Sequence, residues 1–262
     1  MKRNRVIGVV SGKGGVGKTV TAVNIGVLLA REGIKTILID SDVQNPSVGL
    51  HVGFASMHVG FQDVLGGKIA LDDAVIDHPQ SSLKILPASL KPSYHVPIQN
   101  FKGLLRDLEA YEFVMIDSPP SVLEYVQEVI TDCDEVLVVT TPDLPSITSA
   151  NKVIAFAEKN KVKVLGLVLN RVHHKAYELP EKEVEALTNY RILASIPEDD
   201  VVPLSISLQQ PLTVRFPDSE VALKFVELAE EITRAPLRHA QHSRGFVARL
   251  LTFLRHFNPF AR

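Results

Sequence analysis

The chain has 262 residues, a mass of 28.8 kDa and 45% hydrophobic side chains, which is enough to bury one sizeable core. No uninterrupted apolar stretch approaches about 18 residues and no signal-peptide core begins the chain, so we expect neither a membrane-spanning helix nor secretion but a cytoplasmic protein. The single cysteine, Cys133, excludes an internal disulfide, an iron–sulfur cluster and an all-cysteine zinc site within one chain, and we expect it in the core.

The charge is divided unevenly along the chain. The formal net charge is −2, but all 30 acidic residues precede Ile232, whereas residues 232–262 contain six arginines and no acid. The acidic body argues against a large nucleic-acid-binding face, so we do not expect nucleic acid as a partner. The basic end of the chain indicates a separate, anionic partner.

Seven short apolar runs alternate with amphipathic segments of helix length. Because the runs are apolar at nearly every position, they predict strands that are covered on both faces. The alternation predicts an α/β fold with a doubly wound, mostly parallel sheet and helices on both faces. The predicted strands are 5–10, 36–39, 83–86, 113–116, 135–139, 162–169 and 191–196, and the predicted helices are 17–32, 97–110, 121–132, 146–160, 177–188 and 217–234.

A glycine-rich motif lies between the first predicted strand and the first predicted helix. Its residues match G-x-x-x-x-G-K-[ST], the P-loop pattern, in which glycines let consecutive N–H groups turn towards phosphate oxygens. Lys18 is expected to reach the β- and γ-phosphates, and the Thr19 hydroxyl is expected to hold Mg²⁺. The motif predicts a nucleoside triphosphate site in a P-loop NTPase, formed by Gly12, Gly14, Gly15, Val16, Gly17, Lys18 and Thr19.

Lys13 is a residue that an ordinary P-loop does not require. The form K-G-G-x-G-K-T resembles the deviant Walker A motif of the MinD/ParA superfamily of P-loop ATPases, whose members dimerise face to face on ATP. The resemblance implies ATP and Mg²⁺ as cofactors, a homodimer in the ATP-bound state, and catalytic roles for Lys13 and Lys18. Lys13 would contact the nucleotide of the neighbouring subunit. A solvated loop lysine is the alternative.

Two further strand ends carry aspartates that resemble motifs of the same superfamily. Asp40 and Asp42 form D-x-D at the end of the second predicted strand, and with Asn45 they resemble switch I. The resemblance implies that Asp40 positions or activates the attacking water, and that Asp42 and Asn45 respond to the γ-phosphate. Asp117 ends an apolar run as in a Walker B motif, where the carboxylate supports Mg²⁺ through its water shell. Turn formation and helix capping are the alternatives for these carboxylates.

The adenine site is predicted at two later strand ends. Asn170 and Arg171 resemble the position of the superfamily's base-binding Asn, and Pro197 and Asp199 belong to an I-P-x-D loop that resembles the one over the ring. The resemblance implies that Asn170 hydrogen-bonds adenine. Ordinary loop ends would look similar.

The carboxy terminus predicts a membrane anchor. We divide the chain into an ATPase domain (1–234), a linker (235–243) and a tail (244–262). At 100° per residue the tail's phenylalanines and leucines fall on one face and its arginines on the other, as in an interfacial helix on an anionic membrane. It resembles the membrane-targeting sequence of the superfamily's MinD branch; a helix packed on its own domain is the alternative. The predicted membrane-contacting residues are Phe246, Val247, Arg249, Leu250, Leu251, Phe253, Leu254, Arg255 and Phe257.

These resemblances together predict a MinD-like ATPase switch that hydrolyses ATP slowly with stimulation by a partner. It would be cytoplasmic and peripherally associated with the inner face of the cell membrane, where it would position division or another cell-surface machinery. Its activator or cargo protein is not identified by the sequence. The alternatives are a ParA-like ATPase that partitions DNA or cargo, an FlhG-like flagellar-number ATPase, and a nucleotide-gated adaptor.

Overall fold

The computed structural model describes residues 4–54, 57–91, 96–120 and 124–237. The predicted tail and the linker beyond residue 237 lie outside the described residues, as does the segment 121–123. Within the predicted linker, Leu237 is buried against the core and its N–H donates to the Glu230 carboxylate. Packing of the domain therefore continues at least to Leu237.

One sheet forms the centre of the described structure. Its strands are β1 (Arg5–Val10), β2 (Thr36–Asp40), β3 (Ile76–Asp77), β4 (Lys84–Leu86), β5 (Phe113–Asp117), β6 (Glu135–Thr140), β7 (Lys163–Val172) and β8 (Ile192–Pro197). The order across the sheet is β3-β4-β2-β5-β1-β6-β7-β8, and every pair is parallel except β3–β4. The seven predicted strands are confirmed; β3 was not predicted because two residues carry too little pattern.

Helices connect the strands, and the six predicted ones are confirmed with shifted ends. The α-helices of the described residues are α1 (Lys18–Arg31), α2 (Val48–His51), α3 (Phe61–Leu65), α4 (Leu71–Ala74), α5 (Phe101–Asp107), α6 (Glu124–Thr131), α7 (Leu144–Lys159), α8 (Glu181–Thr188), α9 (Val201–Ser207), α10 (Leu212–Arg215) and α11 (Glu220–Thr233). Helix α7 begins earlier than predicted because the Asp143 carboxylate accepts a hydrogen bond from Ser146 N–H and caps it. None of the helices among the described residues is long and apolar enough to cross a membrane.

Alternate residues of the strands pack on opposite faces of the sheet. Ile7 and Val9 of β1 join a buried cluster with α1 and α11, whereas Val6 and Val10 join another with α5, α6 and α7. Each fully buried aliphatic side chain of this kind contributes about 1.5–3 kcal/mol. The doubly wound α/β fold is confirmed, and Cys133 is a buried free thiol in the second cluster.

The strand order determines where a ligand site can form. β1 lies between β5 and β6, with β2 and β4 on one side of it and β7 and β8 on the other, so the direction in which strands are added to the sheet reverses at β1. In doubly wound sheets ligands bind outside the carboxyl ends of the strands at this point. The loop after β1 occupies this position. Asp40 and Asp117, the last residues of β2 and β5, pair in register at the same edge.

Candidate functional site

The loop between β1 and α1 follows a path that only glycine allows at several positions. A Cβ added at Gly12 would lie 2.1 Å from the backbone oxygen of Ser149 in α7, so loop and helix pack closely there. Gly15 and Gly17 have φ angles of +75° and +96°, which L side chains rarely adopt. Apart from Gly15 and its two neighbours in the chain, no atom of the described residues lies within 4 Å of a Cβ added at Gly15. The loop therefore has the curled, open backbone that a phosphate group requires.

Lys18 is the first residue of α1 and its side chain is largely buried. Burial lowers the pKa of its ammonium group, while the carboxylates of Asp117 and Asp42 act in the opposite direction. The ammonium is thus held among acidic groups at the loop. Triphosphate oxygens would supply further negative charge to this cation, in agreement with the predicted role of Lys18.

Thr19 and Asp117 form the predicted metal-binding pair. The Thr19 hydroxyl donates to Asp117 Oδ2 at 2.6 Å. Asp117 is almost fully buried, and its Oδ1 has no hydrogen-bond partner among the described residues. Burial raises the pKa of this carboxyl group, and the bond from Thr19 opposes the rise. A buried carboxylate oxygen without a partner, beside a hydroxyl, fits a hydrated Mg²⁺ ion, which prefers oxygen ligands.

Asp40 is fully buried, and its carboxylate accepts hydrogen bonds from backbone groups of the segment that resembles switch I. Its Oδ2 accepts from Ser47 N–H and Val48 N–H, both at 3.0 Å, and its Oδ1 accepts from Asp42 N–H at 3.1 Å. Burial and the nearby Asp117 carboxylate raise the pKa of Asp40. In this conformation Asp40 orders the loop before α2. Its role in activating a water molecule remains a prediction.

Asp42 and Asn45 lie together beyond Asp40. Asp42 Oδ1 accepts from Asn45 N–H at 3.0 Å, and burial is the main cause of its raised pKa. Asn45 is exposed. The nearby Lys18 ammonium partly offsets this rise in the pKa of Asp42. The response of Asp42 and Asn45 to the γ-phosphate remains a prediction.

Lys13 lies at the rim of the loop. Its side chain is 53% exposed, and its ammonium is 3.9 Å from Asp143 Oδ1, which belongs to a side chain that is 43% exposed. An exposed pair at this distance is worth about 0–1 kcal/mol, so another anion can displace Asp143 at little cost. This location leaves Lys13 accessible from outside the subunit.

The predicted base-site residues lie at the same edge but already have protein partners. Asn170 Nδ2 donates to the backbone oxygen of Val16 at 2.7 Å and so supports the P-loop. Arg171 pairs with Glu198 through two hydrogen bonds of 2.8 and 3.2 Å. Pro197 ends β8, and Asp199 Oδ1 accepts from the backbone N–H of Val201. Contact of these residues with adenine remains a prediction.

Two residues join the site that the sequence did not indicate. Ser47 Oγ lies 2.9 Å from Thr19 Oγ1, and the Tyr125 hydroxyl of α6 donates to the backbone oxygen of Ser41 at 2.8 Å. The signal for Ser47 was a hydroxyl residue within the segment that resembles switch I. Nothing in the local sequence indicated Tyr125, because its bond joins distant segments.

Comparison with known proteins identifies the family. The model of the CobQ/CobB/MinD/ParA nucleotide binding domain matches residues 7–212. The chain belongs to this family. It is 34% identical over 219 residues to a putative septum site-determining protein MinD of Mesostigma viride, with 80% of this chain and 77% of that protein covered.

Two solved structures resemble this member of the MinD/ParA family over most of its length. The Pyrococcus furiosus cell division ATPase MinD has a TM-score of 0.83 and 29% identity, covering 88% of this chain and 99% of that one. The septum site-determining protein MinD of Pyrococcus horikoshii, complexed with Mg-ADP, has a TM-score of 0.82 and 28% identity, covering 87% and 96%. The predicted ATP hydrolase with ATP and Mg²⁺ as cofactors is confirmed.

Proposed function

We propose that this ATPase is a membrane-associated switch of the MinD type. With ATP it forms a homodimer, and each subunit places residues 244–257 in the surface of an anionic membrane. Slow hydrolysis, stimulated by an activator or cargo protein, returns it to a cytoplasmic monomer. The process it positions is division or another cell-surface machinery. The similarity to septum site-determining proteins supports this assignment.

The observation that supports the proposed homodimer is the position of Lys13 beside a nucleotide site that is formed by other side chains. Thr19, Lys18 and Asp117 are partly or fully enclosed, whereas Lys13 is half-exposed at the rim. Two subunits that meet through this edge would bring each Lys13 towards the phosphates of the other. Positive charge from Lys13 would then offset the repulsion between two anionic nucleotides.

The dimer would determine membrane affinity. A single tail has few apolar side chains, each worth at most about 1.5–3 kcal/mol and less at an interface, where burial is partial. The helix must also become ordered on binding, which costs free energy. One tail would therefore bind marginally. Joining two tails makes the second insertion intramolecular and can raise avidity by about 10²–10⁴.

Liposome co-sedimentation with ATP or ADP tests the proposal. The Asp40→Ala protein should retain ATP without turnover and should sediment with anionic vesicles. Phe253→Glu should release the protein, whereas Thr252→Glu is the matched control, because it adds the same charge on the predicted polar face. Phosphate release and calorimetry establish whether nucleotide is hydrolysed and bound, and Lys18→Ala should lose nucleotide binding or hydrolysis.

Four results would contradict the proposal. Binding to vesicles that does not depend on ATP would exclude an ATP-dependent membrane switch. Equal release by Phe253→Glu and Thr252→Glu would exclude insertion of the apolar face into the membrane. ATP-dependent sedimentation with DNA, and not with vesicles, would favour the ParA-like alternative. A deletion of residues 244–262 that unfolds the domain would show instead that the tail belongs to the core.

A further inference from the structure

Ser47 occupies a position that connects the metal-binding pair to switch I. Its hydroxyl oxygen lies 2.9 Å from Thr19 Oγ1, and its backbone N–H donates to Asp40 Oδ2 at 3.0 Å. Ser47 is the residue before α2, but its side chain makes no capping bond to that helix. The hydroxyl therefore faces Thr19 without serving the local helix.

The spacing of the Thr19 and Ser47 hydroxyl oxygens matches the requirements of a small octahedral cation. Mg²⁺ binds oxygen at about 2.0–2.1 Å, so adjacent ligands of its octahedron are about 3 Å apart. Thr19 Oγ1 is 2.9 Å from Ser47 Oγ and 2.6 Å from Asp117 Oδ2, while Asp117 Oδ1 is buried without a partner among the described residues. Two protein groups that can supply oxygen to a metal or to its water shell, Ser47 and Asp117, thus both lie next to the Thr19 hydroxyl.

We propose that the Ser47 hydroxyl is a second protein ligand of Mg²⁺ beside Thr19 when nucleotide is bound. The inference rests on binding of the magnesium nucleotide at this site, and not on the dimer or the membrane anchor. Because the same residue donates its N–H to Asp40, the ion would hold switch I through Ser47 and fix Asp40 at the same time.

The test compares Ser47→Ala with Ser47→Thr, which keeps a hydroxyl, and with Ser207→Ala as a matched control. Ser207 is exposed on α9, where its hydroxyl bonds only to the backbone oxygen of Leu204 in its own helix. ADP affinity is measured by calorimetry with Mg²⁺ and with EDTA. Replacement of one ligand by water should reduce the Mg²⁺-dependent gain in affinity by about tenfold in Ser47→Ala, a size typical of changes around a metal site.

Ser47→Thr and Ser207→Ala should keep the wild-type gain, and all variants should bind ADP equally in EDTA. Electron paramagnetic resonance of Mn²⁺-ADP supplies a second readout, because loss of a protein oxygen changes the spectrum of the bound ion. An unchanged Mg²⁺-dependent gain in Ser47→Ala would overturn the inference. A lower melting temperature with that gain intact would assign the hydroxyl to structure only. If the wild-type protein fails to bind Mg-ADP, the assignment of the nucleotide site itself is wrong.

Discussion

The close packing of the P-loop on α7 predicts a strong difference between two glycines of the same loop. In Gly12→Ala the new Cβ would lie 2.1 Å from the Ser149 backbone oxygen and 2.2 Å from its carbonyl carbon. Both are backbone atoms, so the loop and the helix must separate by about 1 Å, and such overpacking costs about 1–3 kcal/mol. For a domain of this size that cost lowers the melting temperature by about 2–12 °C.

Gly14→Ala is the matched control. Its Cβ would meet only Pro120 among the described residues, at 3.8 and 3.9 Å, which is ordinary van der Waals contact. We expect a change within about 0.5 kcal/mol. Thermal unfolding of the nucleotide-free proteins, followed by circular dichroism, measures both variants. Equal melting temperatures for Gly12→Ala, Gly14→Ala and the wild type would refute the packing argument.

Three further predictions concern the groups around the site. In an Asp40→Ala background, adding Lys13→Ala should abolish the ATP-dependent dimer in light scattering while ATP binding persists; an undiminished dimer would exclude the proposed contact. Tyr125→Phe should slow phosphate release, because it removes the bond to Ser41 between the two switch I aspartates, and unaltered turnover would confine Tyr125 to packing. Because the folded-state pKa values of Asp40 and Asp117 are raised to about 8 and about 7, the native protein binds more protons than the unfolded chain between pH about 4 and these values. Stability of the nucleotide-free protein should therefore fall as pH rises through the raised values, and added Mg²⁺ should reduce the slope; urea unfolding between pH 5 and 9 would contradict this if it gave a flat profile.

The sequence predicted those site residues that lie where strands end. Asp40 and Asp117 could be placed together because an apolar run delivers each of them to the same edge of a parallel sheet. Thr19 followed from a contiguous motif. In each case the local sequence pattern indicated both the secondary structure and the predicted chemical role of the residue.

The remaining contacts depend on distances between segments that are remote in sequence. Ser47 meets Thr19 only because Asp40 bonds the backbone before α2, and no periodicity encodes that turn. The contact of Gly12 with Ser149 depends on how closely α7 packs. Asn170 was predicted at the site. The hydrogen bond from its side-chain amide to the Val16 backbone oxygen, however, follows from the three-dimensional placement of β7 and not from any motif.

The central position of β1 has a consequence for synthesis of the chain. β1 is made before the other strands of the sheet, but its two partners come much later, since Arg5 pairs with Phe113 and Ile7 with Glu135. The P-loop also rests on Ser149 and Asn170. A nascent chain therefore has no complete phosphate site until Asn170 has left the ribosome, and α1 lacks its packing partner α11 until later still. Nucleotide can stabilise the native state only after that point, because it binds the finished site and not the earlier chain.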